Sequence, residues 1–137
     1  MSKVEESFSL FNENILEDRV KLISWCPTTD ILLVVSPENT LSLFRHGNTL
    51  LWSIEDEIKS NVKVIAWEPN GKRFVLGCEN GTVYKVDITH YLPKISFCWT
   101  PTDGSSPIVS LVWLNYEFKK KQIDIALIVR CLILNQI

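Results

Sequence analysis

The sequence predicts an all-β chain, an incomplete β-propeller of two full four-stranded blades and part of a third. The first observation is a repeat. Residues 20–45 and 62–87 overlay without gaps at an offset of 42, with Val20/Val62, Lys21/Lys63, Ile23/Ile65, Trp25/Trp67, Pro27/Pro69 and Thr40/Thr82 identical. Leu22/Val64, Leu32/Phe74, Leu33/Val75 and Leu41/Val83 exchange one apolar residue for another. The second is a period: "PIVSLVW" opens a third copy, placing Trp113 46 positions after Trp67. The third is strand chemistry. "VKLISW", "DILLVV" and "TLSLFR" are rich in Val, Ile and Leu, alternate in places with period 2, and are cut by Pro, Asn and Gly too often for helices. Repeats of about 40–45 residues made of short strands are the pattern of propeller blades.

Each element follows in order. "SFSLF", Ser7 to Phe11, alternates polar with apolar and reads as a lone strand, of the kind that completes the last blade in closed propellers. The first unit, about 20–53, has strands Lys21 to Trp25, Ile31 to Val35, Leu41 to Phe44 and Thr49 to Trp52, with "CPTTD" turning through Pro27 and Asp30. The second, about 62–99, has strands Lys63 to Trp67, Arg73 to Cys78, Thr82 to Asp87 and Ile95 to Trp99, joined at Asn70-Gly71 and Asn80-Gly81. Asn-Gly supplies the positive-φ residues that tight hairpins require. Runs such as "ILLVV" suit strands covered on both faces, and the Trp ending each first strand is expected to fill the gap to the next blade.

The third unit, about 108–137, departs from the pattern. "LNYEFKKKQ" follows Trp113 where Pro and Asn-Gly stood before, so Lys119 to Lys121 are expected to form a solvated basic loop. The apolar run from Ile123 to Ile137 reads as a buried strand, or as sequence diverging from the repeat. Residues 1–137 thus form one incomplete propeller unit. Closure takes about 4 to 8 blades, so either residues outside this chain finish the ring or it stays open. Unpaired strand edges then make the isolated chain marginal and prone to association.

Composition narrows the function classes. The 137 residues are 46% hydrophobic and 22% charged, with a net charge of −2, ordinary values for a globular domain. No basic footprint supports nucleic-acid binding. A membrane-spanning helix needs roughly 20 apolar residues, whereas the run at 123–137 is shorter and carries Asp124 and Arg130. The polar, acidic N-terminus has no signal-peptide core. Cys26, Cys78, Cys98 and Cys131 form no CxxC pair; they read as buried apolar residues in a reducing compartment, without disulfides.

Residues capable of chemistry are few. His46 and His90 fall in loops after the third strand of each blade, and no nucleophile motif accompanies them. Glu55, Asp56 and Glu57 form a solvated inter-blade loop. Gly71, Gly77 and Gly81 make neither a dinucleotide fingerprint nor a phosphate loop. Catalysis in a central channel requires convergent acids and histidines, for which His46, Asp30 and Asp87 are the candidates. No catalytic, cofactor-binding or metal-binding residue is assigned, and no cofactor is expected.

The "SWCP" and "AWEP" strand ends, the "LFRHGNTLLWS" segment closing the first blade and the "IVSLVW" opening of the third carry a resemblance. Over roughly Ile15 to Leu114 the chain resembles the N-terminal WD-repeat region of the fourth subunit of the anaphase-promoting complex. It departs from general WD repeats: Gly-His is absent from every unit, and only Val86-Asp87 resembles the Trp-Asp signature, with Phe44-Arg45 in its place in the first unit. The resemblance implies a non-catalytic scaffold in a multi-subunit ubiquitin ligase of mitosis. Its implied partners are other protein subunits, and its implied location the nucleus and cytoplasm. A different degenerate WD module, in trafficking or ciliary transport, shares the fold without those partners.

Overall fold

The computed structural model describes residues 13, 15–16 and 19–130, apart from 47, 91, 100–106 and 119–120. The strand expected at Ser7 to Phe11 and the end of the apolar tail lie outside the described residues. All ten regular elements among the described residues are strands. β1 (Leu22–Trp25), β2 (Ile31–Val35), β3 (Leu41–Arg45) and β4 (Thr49–Ile54) form one antiparallel sheet in sequence order. β5 (Val62–Trp67), β6 (Arg73–Cys78), β7 (Val83–Asp87) and β8 (Lys94–Trp99) form a second in the same order. β9 (Ile108–Phe118) and β10 (Lys121–Arg130) pair as a long hairpin. The repeat seen in the sequence is therefore a repeat of sheets, as a partial propeller requires.

Register carries the same offset. Ile23 pairs with Val34 and Trp25 with Leu32, as Ile65 pairs with Leu76 and Trp67 with Phe74; Ile31 opposes Arg45 as Arg73 opposes Asp87. The turns explain why. Gly71 (φ 73°) and Gly81 (φ 84°) take the left-handed conformation that costs glycine nothing, and each N–H closes a turn, onto the Glu68 and Cys78 carbonyls respectively. Where the first blade lacks glycine, Asn39 adopts φ 65° and donates its N–H to the Ser36 carbonyl. Asparagine tolerates that region better than other side-chain-bearing residues.

Alternation along each strand divides the core in two. Phe74, Leu76, Tyr84 and Val86 point from the second sheet toward Leu33, Val35, Leu41 and Leu43 of the first, and all are buried. Val75 and Val83 point the opposite way, toward Ile108 and Leu111 of β9. Burying a Val, Leu or Phe fully contributes about 1.5–3 kcal/mol, so these two interfaces supply the main cohesion of the stack. Gly77 is needed at the second interface. A Cβ there would lie 2.5 Å from Ile108 Cγ2 and 2.6 Å from Val64 Cγ2, closer than packed atoms approach.

Two expectations are corrected. The tryptophans face the preceding blade and not the next. Trp67 joins the core shared with the first sheet, its ring 4.8 Å from that of Phe74, while Trp113 donates Nε1–H to the Ala66 carbonyl of the second sheet at 2.9 Å. The reason is parity: Trp67 opposes Phe74, so both share one side of the sheet. The second correction concerns the lysine loop. β9 continues past Trp113 to Phe118 and Lys121 already belongs to β10, which leaves only residues 119–120 between the strands. Without a proline two residues after this Trp, the Leu, Tyr and Phe of "LNYEF" extend the strand.

Candidate protein-interaction surface

The candidate chemical residues separate into surface pairs. Asp30, at the end of the first-blade turn, meets His46 Nδ1 in an ion-pair contact, with Arg45 Nε 3.7 Å from Oδ1. The backbone makes the same link, His46 N–H donating to the Asp30 carbonyl at 3.2 Å. Asp87 sits in the second blade. It accepts bonds from the Thr89 hydroxyl at 2.5 Å and N–H at 2.8 Å, and these hold its carboxyl below the usual range. Asp30 and His46 are thus brought together while Asp87 is engaged elsewhere. His90 and Glu55, Asp56 and Glu57 are exposed. Among the described residues no three His, Cys, Asp or Glu side chains gather to hold a metal ion, and no helix is long and apolar enough to cross a membrane.

Polar side chains instead tie sheet to sheet at the loops. At one rim Lys21 donates its ammonium to Asn39 Oδ1 (2.8 Å) and to Asn61 Oδ1, and Asn39 Oδ1 also accepts Val62 N–H at 3.0 Å. Burial, then the nearby Lys63, holds the Lys21 ammonium below its ordinary pKa. Beneath this knot Cys78 is a free, fully buried thiol, and burial pushes its pKa up to about 11. At the opposite rim the Thr28 hydroxyl donates to the Asn70 carbonyl at 3.2 Å and Cys26 Sγ approaches the Gly71 carbonyl at 3.7 Å. Burial alone would raise the Cys26 pKa, but hydrogen bonds from Thr29 and Thr28 outweigh it and lower the value.

One buried ion pair anchors the junction with β9. Glu68, fully buried, accepts two bonds from Arg73, Nη2 to Oε1 at 2.6 Å and Nε to Oε2 at 2.7 Å. Bidentate geometry of this kind is strong and directional. The guanidinium lies over the Trp113 ring, 6.0 Å from its centroid, so a single arginine joins the β5–β6 turn to β9. The sequence-based expectations did not include this pair. The signal was present: "EPNGKR" sets Glu68 and Arg73 on either side of a tight turn, where paired strands bring them together.

What remains for recognition is a rigid stack with loops at both rims, outer strands at its edge, and apolar side chains left uncovered, among them Trp25, Leu50, Leu51 and Leu92. Such geometry offers surface for contact and assembles no reactive centre among the described residues. The family model described as anaphase-promoting complex subunit 4 WD40 domain matches residues 23–115, from β1 into β9 and more than half of the chain. The chain belongs to the anaphase-promoting complex subunit 4 WD40-domain family.

Proposed function

We propose that this chain is a non-catalytic scaffold element of the anaphase-promoting complex, the multi-subunit ubiquitin ligase that controls mitotic progression. The single observation behind this reading is the family match over residues 23–115. In this reading residues 1–137 form one incomplete propeller unit, with blades at about 20–53 and 62–99 and part of a third at about 108–137. Other subunits carry out ubiquitin transfer, and this one holds them in place. It works in the nucleus and cytoplasm, binds protein subunits, and takes no cofactor, nucleic acid or membrane.

The mechanism is positional. Sheets locked by the Glu68–Arg73 pair and the Lys21–Asn39–Asn61 knot keep their loops in fixed relation, so a partner that spans two blades meets a surface that needs no ordering on binding. Affinity purification of the tagged chain from dividing cells, with mass spectrometry of the associated proteins, tests this. Recovery of ubiquitin-ligase subunits is the expected result. Recovery of trafficking or ciliary-transport components in their place supports the other degenerate WD module, and the scaffold reading then fails.

A further inference from the structure

The repeat brings two cations together at one rim. Lys21 and Lys63 hold the same place in successive units, 42 positions apart. Lys21 reaches across to the second blade, where its ammonium meets Asn61 Oδ1, two residues before Lys63. The bulge at the head of β5 pairs Val62 with Cys78 and Val64 with Gly77, so Lys63 is the residue left over. Bulges of this kind re-aim a side chain, and Lys63 is exposed. The two charges act on one another. After burial, Lys63 is the largest influence lowering the pKa of Lys21, while Cys78, Glu79 and Glu38 raise it.

Both oxygens bonded to the Lys21 ammonium belong to neutral amides, Asn39 at 2.8 Å and Asn61. Among the described residues no carboxylate lies within ion-pair distance of either lysine. The two acids that act on Lys21 are engaged elsewhere: Glu38 by Arg19 at 3.3 Å, and Glu79 by the Asn61 side-chain N–H at 3.4 Å. Like charges held side by side, one of them partly buried, favour an anion that comes between them. We propose that Lys21 and Lys63 together receive an anionic side chain from a partner protein, a carboxylate or a phosphate group presented on a peptide segment. A free phosphate fits less well, because it is usually cradled by a row of backbone N–H groups, and here the cations are two side chains. A nucleic acid fits less well again, since two lysines set among Glu38 and Glu79 make no track along a phosphate backbone. The inference names the chemistry of one contact and no complex, so it stands apart from the ligase reading.

Heteronuclear NMR of the full 137-residue chain, titrated with short peptides, tests the proposal. One peptide carries adjacent glutamates between serines, another a phosphoserine in the same frame, and a control has glutamines in place of the glutamates. The glutamate or the phosphoserine peptide should shift the amides of Lys21, Asn39, Asn61 and Lys63, and the stronger of them tells carboxylate from phosphate. Lys63→Gln changes an exposed side chain with no bond among the described residues, so the fold should survive. Binding should weaken about threefold to fivefold, the worth of one exposed ion pair, and Lys63→Arg should keep most of it. Lys72→Gln, at the opposite rim, should leave binding unchanged. Bound anion should also raise the pKa of the Lys21 ammonium, which a lysine serving only to tie the blades would not show. Equal binding of the glutamine peptide overturns the proposal. So does undiminished affinity in Lys63→Gln, and so does the absence of shifts at these residues with either anion.

Discussion

The first and second sheets are the same design in two different settings. Their strands match at an offset of 42 and their pairings match with them. The second sheet, however, is packed on both sides, against the first sheet and against β9, while the first shares a core on one side. Residues at equivalent places differ accordingly. Trp67 is packed where Trp25 is open. Gly77 stands where the first blade has Val35, and so admits Ile108. Glu68 and Arg73 form a buried ion pair where the first blade has Cys26 and Ile31. The repeat sets the backbone, and the place in the stack sets what each side chain must do.

The comparison breaks most visibly in the core. Phe74→Ala removes a side chain with no exposed surface from the interface of the two sheets, and about 3–5 kcal/mol of stability should go with it. Leu32→Ala, at the equivalent but half-buried place, should cost about 1 kcal/mol. Urea denaturation followed by circular dichroism measures both; equal losses would mean that the two sheets are equally enclosed.

Next in size is the ion pair. Arg73→Ile leaves the Glu68 carboxylate buried without its bidentate partner. The cost should be about 2–3 kcal/mol, below the usual range for a fully buried pair because the arginine is about a third exposed. Adding Glu68→Cys installs the first blade's own solution and should restore most of the loss, because two apolar groups need no partner. A double variant as unstable as the single would show that the pair does more than fill its site.

Gly77→Ala sharpens the contrast with Val35. The added methyl meets Ile108 and Val64, and overpacking of this kind costs about 1–3 kcal/mol. Combining it with Ile108→Ala, which removes the clashing Cγ2, should be markedly less than additive in the same denaturation assay. Additive losses would place β9 farther from the second sheet than it lies here.

These pairs also show which features could be read from the sequence. Strands β2 and β6 have the bounds predicted for them, because Pro, Asp, Asn and Gly punctuate the chain wherever the backbone must reverse. Glycine flagged the positive φ at positions 71 and 81, but Asn39 fills the same role without that flag. The direction of the tryptophans was missed because period-2 alternation says which residues share a side and not which neighbour that side meets. The length of β9 was missed because a lysine run suggests a loop, whereas the residues before it had no breaker to end the strand. For the surface, the sequence disclosed the family and none of the contact residues, since exposure at Ile23 and Trp25 depends on which sheet packs beside them. Glu68–Arg73 shows the same limit from the other direction, a pair whose carboxylate is buried and whose guanidinium lies over the ring of Trp113, about 40 residues further on.

The three tryptophans give the smallest and most selective test. Trp113→Phe loses the bond to the Ala66 carbonyl and leaves that acceptor unpaired by the indole, which should cost about 1 kcal/mol beyond the change in packing. Trp67 differs: its Nε1 is buried with no partner among the described residues, so Trp67→Phe removes an unsatisfied donor and offsets part of the packing it loses. Trp25→Thr, at a half-exposed place on an open face, should change stability by about 0.5 kcal/mol or less. The order Trp113, Trp67, Trp25 follows from their neighbours alone, for all three hold the matching place in the first strand of their repeat unit. If Trp25 proved the costliest of the three, some part of the same molecule would have to be covering it.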